Sequence, residues 1–153
     1  MITSRRIVNA KYASTAFDGE GARITGGRWN SPGVGVVYTS ESVALALLES
    51  LVRLRRTTIL SNFVIFACIF DEALVDTLAT RELPRDWRAY PAPSTLQEIG
   101  DEWVRSGRSA VLRVPSVLAD GEHNFLLNPL HADFGRIQIS PPQKFVFDLR
   151  LLP

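Results

Sequence analysis

Four glycines, two arginines, a tryptophan and an asparagine crowd into residues 19–31, in the run Gly19-Glu20-Gly21-Ala22-Arg23-Ile24-Thr25-Gly26-Gly27-Arg28-Trp29-Asn30-Ser31. Glycine allows backbone angles that strain other residues and lets a ligand approach the main chain closely. Arginine presents a planar fork of donors matched to carboxylate or phosphate. With the flat face of Trp29 and the amide of Asn30 beside them, these groups suit an anionic, ring-bearing ligand. A glycine-rich surface loop with solvated arginines is the other reading of the same residues. The segment is not a phosphate loop. It lacks a Gly-Lys-Ser/Thr ending, and the Gly-x-Gly at 19–21 has neither a third glycine at the right spacing nor a helical pattern after it.

A second chemical candidate is Glu49. It interrupts an apolar stretch, with Leu45 four residues before and Val52 three after, its neighbours on a helical surface. A carboxylate buried there without a partner costs several kcal/mol, so it pairs with a cation or does chemistry. The alternative is a helix edge where it is only solvated. His123 and His131 are the only histidines and show no metal-binding spacing. No Gly-x-Ser-x-Gly elbow is present either, which leaves a serine hydrolase without support. What remains is arginine, glutamate, tyrosine and serine, a set short of strong nucleophiles and bases. Such a set suits a reaction that needs positioning and charge complementation, such as cleavage of an N-glycosidic bond to a good leaving group. The nicotinamide bond of NAD is the obvious case, because the pyridinium already carries positive charge; the alternative is a module that binds a nucleotide or a partner protein without chemistry.

These residues need a scaffold. Residues 5–12 read as a first strand, and 34–39, centred on Val36-Val37-Tyr38, as a second. Ser40 and Glu41 predict the start of a helix over 41–55 that is apolar, and so buried, nearly all round. The nine-residue apolar run at 62–70 predicts a central strand. Residues 71–93 read as loop or short turns. A capping box from Ser94 to Gln97 opens an amphipathic helix that ends at Gly107. Residues 109–114 are strand-like, 120–124 form a turn, and 144–150 alternate as a half-exposed strand. Asn124 and Asn128 are expected to bond their own backbone in turns. Strands outnumber helices, so the class is α+β, around a strongly bent sheet or two small sheets with flanking helices.

The chain's 153 residues suffice for one domain with a core of its own. A net charge of +1 gives no case for direct nucleic-acid or anionic-membrane binding. The short basic run of Arg53, Arg55 and Arg56 is expected to favour a helix C-terminus. One cysteine, Cys68, excludes a disulfide framework and a cysteine-type metal site. No apolar segment that could serve as a signal peptide follows the charges of Arg5 and Arg6, and no window reaches roughly 18 apolar residues, so a soluble, cytoplasmic protein is expected.

Several motifs, taken together, carry a family resemblance. Gly26-Gly27-Arg28-Trp29-Asn30-Ser31, Val37-Tyr38-Thr39-Ser40-Glu41-Ser42 leading to Ala46-Leu47-Leu48-Glu49, Val114-Pro115-Ser116, and His123-Asn124-Phe125-Leu126-Leu127-Asn128-Pro129 resemble the RES domain. The resemblance spans nearly the whole chain, 1–153, as a single such domain. It identifies the arginine as Arg28, the glutamate as Glu49 and the serine as Ser116. It adds Tyr38 near the nicotinamide and Arg6, or else Arg5, on the dinucleotide. It implies an ADP-ribosyltransferase-like fold and the toxin half of a bacterial toxin–antitoxin pair. The implied substrate is NAD, with no prosthetic group and no metal, and with inorganic phosphate, water or a protein as acceptor. The implied partner is an antitoxin with a helix-turn-helix domain, a segment of which covers the active site. Homo-oligomers within that complex are also implied. On this reading Arg28 and Arg6 bind pyrophosphate, Tyr38 stacks on nicotinamide, Glu49 stabilises the oxocarbenium ion and Ser116 orients substrate or acceptor.

Overall fold

The apolar run at 62–70 forms β3 (Phe63–Phe70), and its neighbour is the first strand of the chain, β1 (Ile2–Asn9). The two pair antiparallel along their whole length, from Ile2 opposite Phe70 to Asn9 opposite Phe63. The structure is a computed structural model describing residues 1–152. Six further strands complete one sheet: β2 (Val37–Ser40), β4 (Val75–Thr77), β5 (Val111–Pro115), β6 (His123–Leu127), β7 (Gln138–Ile139) and β8 (Gln143–Phe145). Their order is β4-β5-β6-β2-β1-β3-β7, with β8 also on β3.

One junction in this sheet is weak. β1 and β2 share a single register pair, Arg5 opposite Ser40, whereas β2 and β6 share four pairs and β5 and β6 share five. The sheet is therefore split between β1 and β2 into two four-stranded halves.

Three helices flank it: α1 (Glu20–Thr25), α2 (Val43–Leu51) and α3 (Ser94–Ser106). In β5 and β6, successive residues point to opposite faces. Phe125 and Leu127 enter one core with Phe70 and Val111, while Leu126 enters another with Leu112, Trp29, Trp87, Leu96 and Trp103. Both faces are covered, which is why Phe125-Leu126-Leu127 reads as an unbroken apolar run.

The structure corrects several boundaries. Helix α2 begins after Ser42, whose hydroxyl accepts from the Leu45 N–H, rather than after Ser40. It is also not buried all round. Leu45 and Ala46 are buried, but Val43, Leu48 and Val52 are 43%, 40% and 64% exposed. Periodicity marks an apolar face without saying what covers it. The predicted capping box at Ser94 does not form, and the cap position falls to Pro93. The segment 71–93 contains β4, a three-residue strand parallel to β5 and too short to show alternation. A one-turn helix, α1, follows Gly19 where no helical pattern was legible. Only the start of 144–150 is strand; Asp148 then caps a short 3-10 turn by accepting from the Arg150 N–H. No helix is long and apolar enough to cross a membrane among the described residues.

Candidate active site

A cleft opens at the split between β1 and β2, with α2 along one side. It is lined by Arg5 and Arg6 from β1, Tyr38 to Ser40 from β2, Glu49 and Arg53 from the α2 end, and Asn124 from β6. Helix α2 delivers Glu49 because Leu45 and Ala46, on the neighbouring turn, anchor it to the sheet.

Glu49 is half-buried and held by one oxygen. Its Oε1 accepts from the Asn124 side-chain amide at 2.7 Å and from the Ser116 hydroxyl at 3.3 Å. Ser116 lies just past β5 and is 2% exposed. Its oxygen accepts from the Leu118 and Ala119 N–H groups, so its own proton is left for Glu49. Among the described residues, Oε2 of Glu49 has no hydrogen-bond partner. Ser116 thus meets Glu49 and does not line the cleft.

Arg6 forms part of the cleft floor. Its Nε donates to the Ala16 carbonyl at 2.8 Å and its Nη1 to the Tyr38 carbonyl at 2.9 Å, while its guanidinium sits over the Phe17 ring. Burial pushes this group down to about 10, and Arg53 nearby adds to the effect. It remains charged at neutral pH. Arg5 lines the same cleft, so both first-strand arginines reach it. Arg53, expected only to favour a helix terminus, donates its Nε to the Glu49 carbonyl and makes no ion pair among the described residues.

The Tyr38 hydroxyl is fixed at 2.6 Å from Asn30 Oδ1, to which it donates, and accepts from the Trp29 N–H at 3.0 Å. Burial raises its pKa, which keeps it protonated. Gly27 makes room for it, since a Cβ there would lie 2.7 Å from the hydroxyl. Arg28 donates to the carbonyls of Trp87 and Ala89 at 3.0 and 3.2 Å. Burial pushes its guanidinium below the usual arginine range, with the Glu49 carboxylate opposing that shift.

The glycine-rich segment is thus built differently from the ligand surface that its residue types suggest. Trp29 is 2% exposed and packs in the core, and Asn30 is wholly buried. The Asn30 amide nitrogen donates to the carbonyls of Ala22 and Val34. Helix α3 holds the segment from behind. Gln97 donates to the carbonyls of Gly27 and Asn30, and Asp101 accepts from the Ser31 N–H at 2.9 Å. Gly100 permits that approach. This framework holds Tyr38 in the cleft lining, whereas Arg28, turned to the Trp87 and Ala89 carbonyls, is not among the lining residues; Asn124, which is, is the residue that a local reading misses. Asn128 bonds its own backbone as expected, accepting from the Leu130 N–H. His131 is held by the Gly107 carbonyl and the Asp133 N–H.

The fold matches that of a solved structure at 19% identity and a TM-score of 0.76, over 95% of this chain and 84% of the other; it is described as the M. tuberculosis MbcT–MbcA toxin–antitoxin complex. A curled, split sheet of this kind places the chain in the α+β class of ADP-ribosyltransferase-like folds. It belongs to the RES domain family, whose model matches residues 3–148. Among relatives, it is 41% identical over 147 residues to Toxin Res of Yersinia enterocolitica, covering 95% of this chain and 97% of the other. It is 38% identical to the Prs ADP-ribosylating toxin of a Sphingobium species, covering 92% and 89%.

Proposed function

We propose that this chain is the toxin of a toxin–antitoxin pair and acts by breaking the nicotinamide–ribose bond of NAD. The observation that carries the reading is Glu49. It stands in a cleft lined by Arg5, Arg6 and Arg53, with one carboxylate oxygen clamped and the other without a hydrogen-bond partner among the described residues. The names of the relatives point the same way.

In this mechanism the bond between the ribose C1'' and the pyridinium nitrogen breaks, and its electron pair leaves with neutral nicotinamide. No general acid is needed. Positive charge develops on the ribose, and the free oxygen of Glu49 stabilises it while bonding a ribose hydroxyl. Arg6 and Arg28 hold the pyrophosphate, with Arg5 and Arg53 adding positive charge at the cleft. Tyr38 offers its ring to the nicotinamide. Ser116 acts through Glu49. An acceptor then adds at C1'': phosphate gives ADP-ribose 1''-phosphate, and water gives ADP-ribose and a proton. A protein acceptor gives an ADP-ribosylated side chain, a second reading favoured by the Sphingobium relative's name.

The antitoxin of this reading carries a helix-turn-helix domain and supplies the DNA contacts, in keeping with a net charge of +1 here. The structural neighbour's occurrence in such a complex supports a partner of this type. Val43, Leu48 and Val52, exposed on and just after α2, are the apolar surface it would cover. The cytoplasm, where NAD is available, is the proposed site of action.

The deciding experiment incubates the purified protein with NAD, with and without inorganic phosphate, and identifies the sugar product by mass. Nicotinamide with ADP-ribose 1''-phosphate marks a phosphorylase, and ADP-ribose in both mixtures a glycohydrolase. Intact NAD throughout, with and without an added protein acceptor, would overturn the reading.

A further inference from the structure

We infer that Asn124 is a positioning residue for Glu49: its side-chain amide, itself locked by Ser40, fixes the carboxylate so that Oε2 is presented to the cleft. The inference rests on the proposed role of Glu49 toward the ribose.

The hydrogen bonds allow only one orientation of the amide. A carboxylate accepts and does not donate, so the group 2.7 Å from Glu49 Oε1 must be the Asn124 nitrogen. The Ser40 hydroxyl then donates to the Asn124 oxygen at 2.8 Å. Both ends of the amide are engaged: the carboxylate sets the orientation, and the Ser40 hydroxyl, which can donate or accept, donates to the end that remains.

The main chain at Asn124 is equally constrained. It lies opposite Ser40 in β2 and opposite Val114 in β5, so two strand ladders hold it. Glu49, by contrast, stands on a nine-residue helix with exposed flanks. Its side chain has three rotatable bonds, and fixing them is an entropic cost met before substrate arrives. Ser116 alone, at 3.3 Å, is a long contact for that task. The Asn124 bond is the shorter and more specific of the two.

Two arms test this. In the first, protein labelled with 15N at asparagine side chains is compared with Glu49→Ala. The Asn124 amide proton should resonate downfield in the wild type and move upfield in the variant; a signal indifferent to Glu49→Ala overturns the contact. In the second, Asn124→Asp keeps the shape but replaces the donor with a carboxylate facing Glu49. Its kcat for NAD should fall about 100-fold, with KM within about threefold and the variant still folded by circular dichroism. Ser40→Ala should lower kcat about tenfold and Ser40→Thr restore it. A wild-type kcat in Asn124→Asp, or a loss carried by KM alone, overturns the positioning role. If the wild type releases no nicotinamide, the proposed function fails instead, and the first arm still decides whether Asn124 holds Glu49.

Discussion

The Arg6 guanidinium donates to the Tyr38 carbonyl oxygen at 2.9 Å, across the gap where β1 and β2 have parted. A side chain there replaces a rung of the sheet ladder. Arg6→Ala should leave the carbonyls of Tyr38 and Ala16 without that partner and cost about 3 kcal/mol in urea unfolding. Arg6→Lys keeps the charge but not the two-pronged geometry, and should recover less than half of the loss. The folded-state value of about 10 lies below that of the unfolded chain, so the folded chain releases this proton first. Stability attributable to the group therefore rises with pH only above that value, and the difference between Arg6→Ala and wild type should be flat from about pH 6 to about 9.

Glu49→Gln keeps the size of the side chain and removes its charge. NAD turnover, read as nicotinamide release, should fall on the order of 100-fold or more, with the melting temperature preserved. A cell expressing the variant without antitoxin should grow, and one expressing the wild type should not. Undiminished release by the purified variant would remove Glu49 from the reaction.

Tyr38 separates fold from site. Tyr38→Phe keeps the ring in the cleft but strips partners from Asn30 Oδ1 and the Trp29 N–H, and should cost about 1–3 kcal/mol of stability. Its KM for NAD should change little. Tyr38→Ala should lose both stability and NAD affinity, measured by denaturation and by steady-state kinetics.

Gly100→Ala is expected to be the most damaging small change. An added Cβ would lie 1.6 Å from the Trp29 carbonyl oxygen, backbone that cannot turn aside. Helix α3 would have to withdraw from residues 27–31, at a cost above about 3 kcal/mol. Loss of soluble protein, or a melting temperature lowered by many degrees, is the expected readout.

The sequence made some of this legible. The run that became β3 was unmistakable because length, branching and apolarity agreed, and the position of Glu49 within an apolar helix flagged it as chemically unusual. Trp29 and Asn30 were misread for a physical reason: residue type says that a ring and an amide exist, but not which way they face. Both turn inward, Trp29 into the core and Asn30 onto the Ala22 and Val34 carbonyls. Asn124 was read by the local rule for asparagine near a turn, yet its partner lies 75 residues away. Gln97, read as half of a capping box, instead reaches 67 and 70 residues back to hold the glycine-rich segment. Contacts of that range have no signature in spacing.

The single Arg5–Ser40 pair makes the sheet, in mechanical terms, two plates touching at one point. What spans the rest of the gap is exchangeable: the Arg6 side chain, and the hydroxyls of Ser4 and Thr39 lying 2.8 Å apart. Substitutions at these three positions would remove side-chain contacts between the plates and leave the main-chain ladders within each plate in place. The seam is thus held by side chains, and the plates on either side of it by main chain.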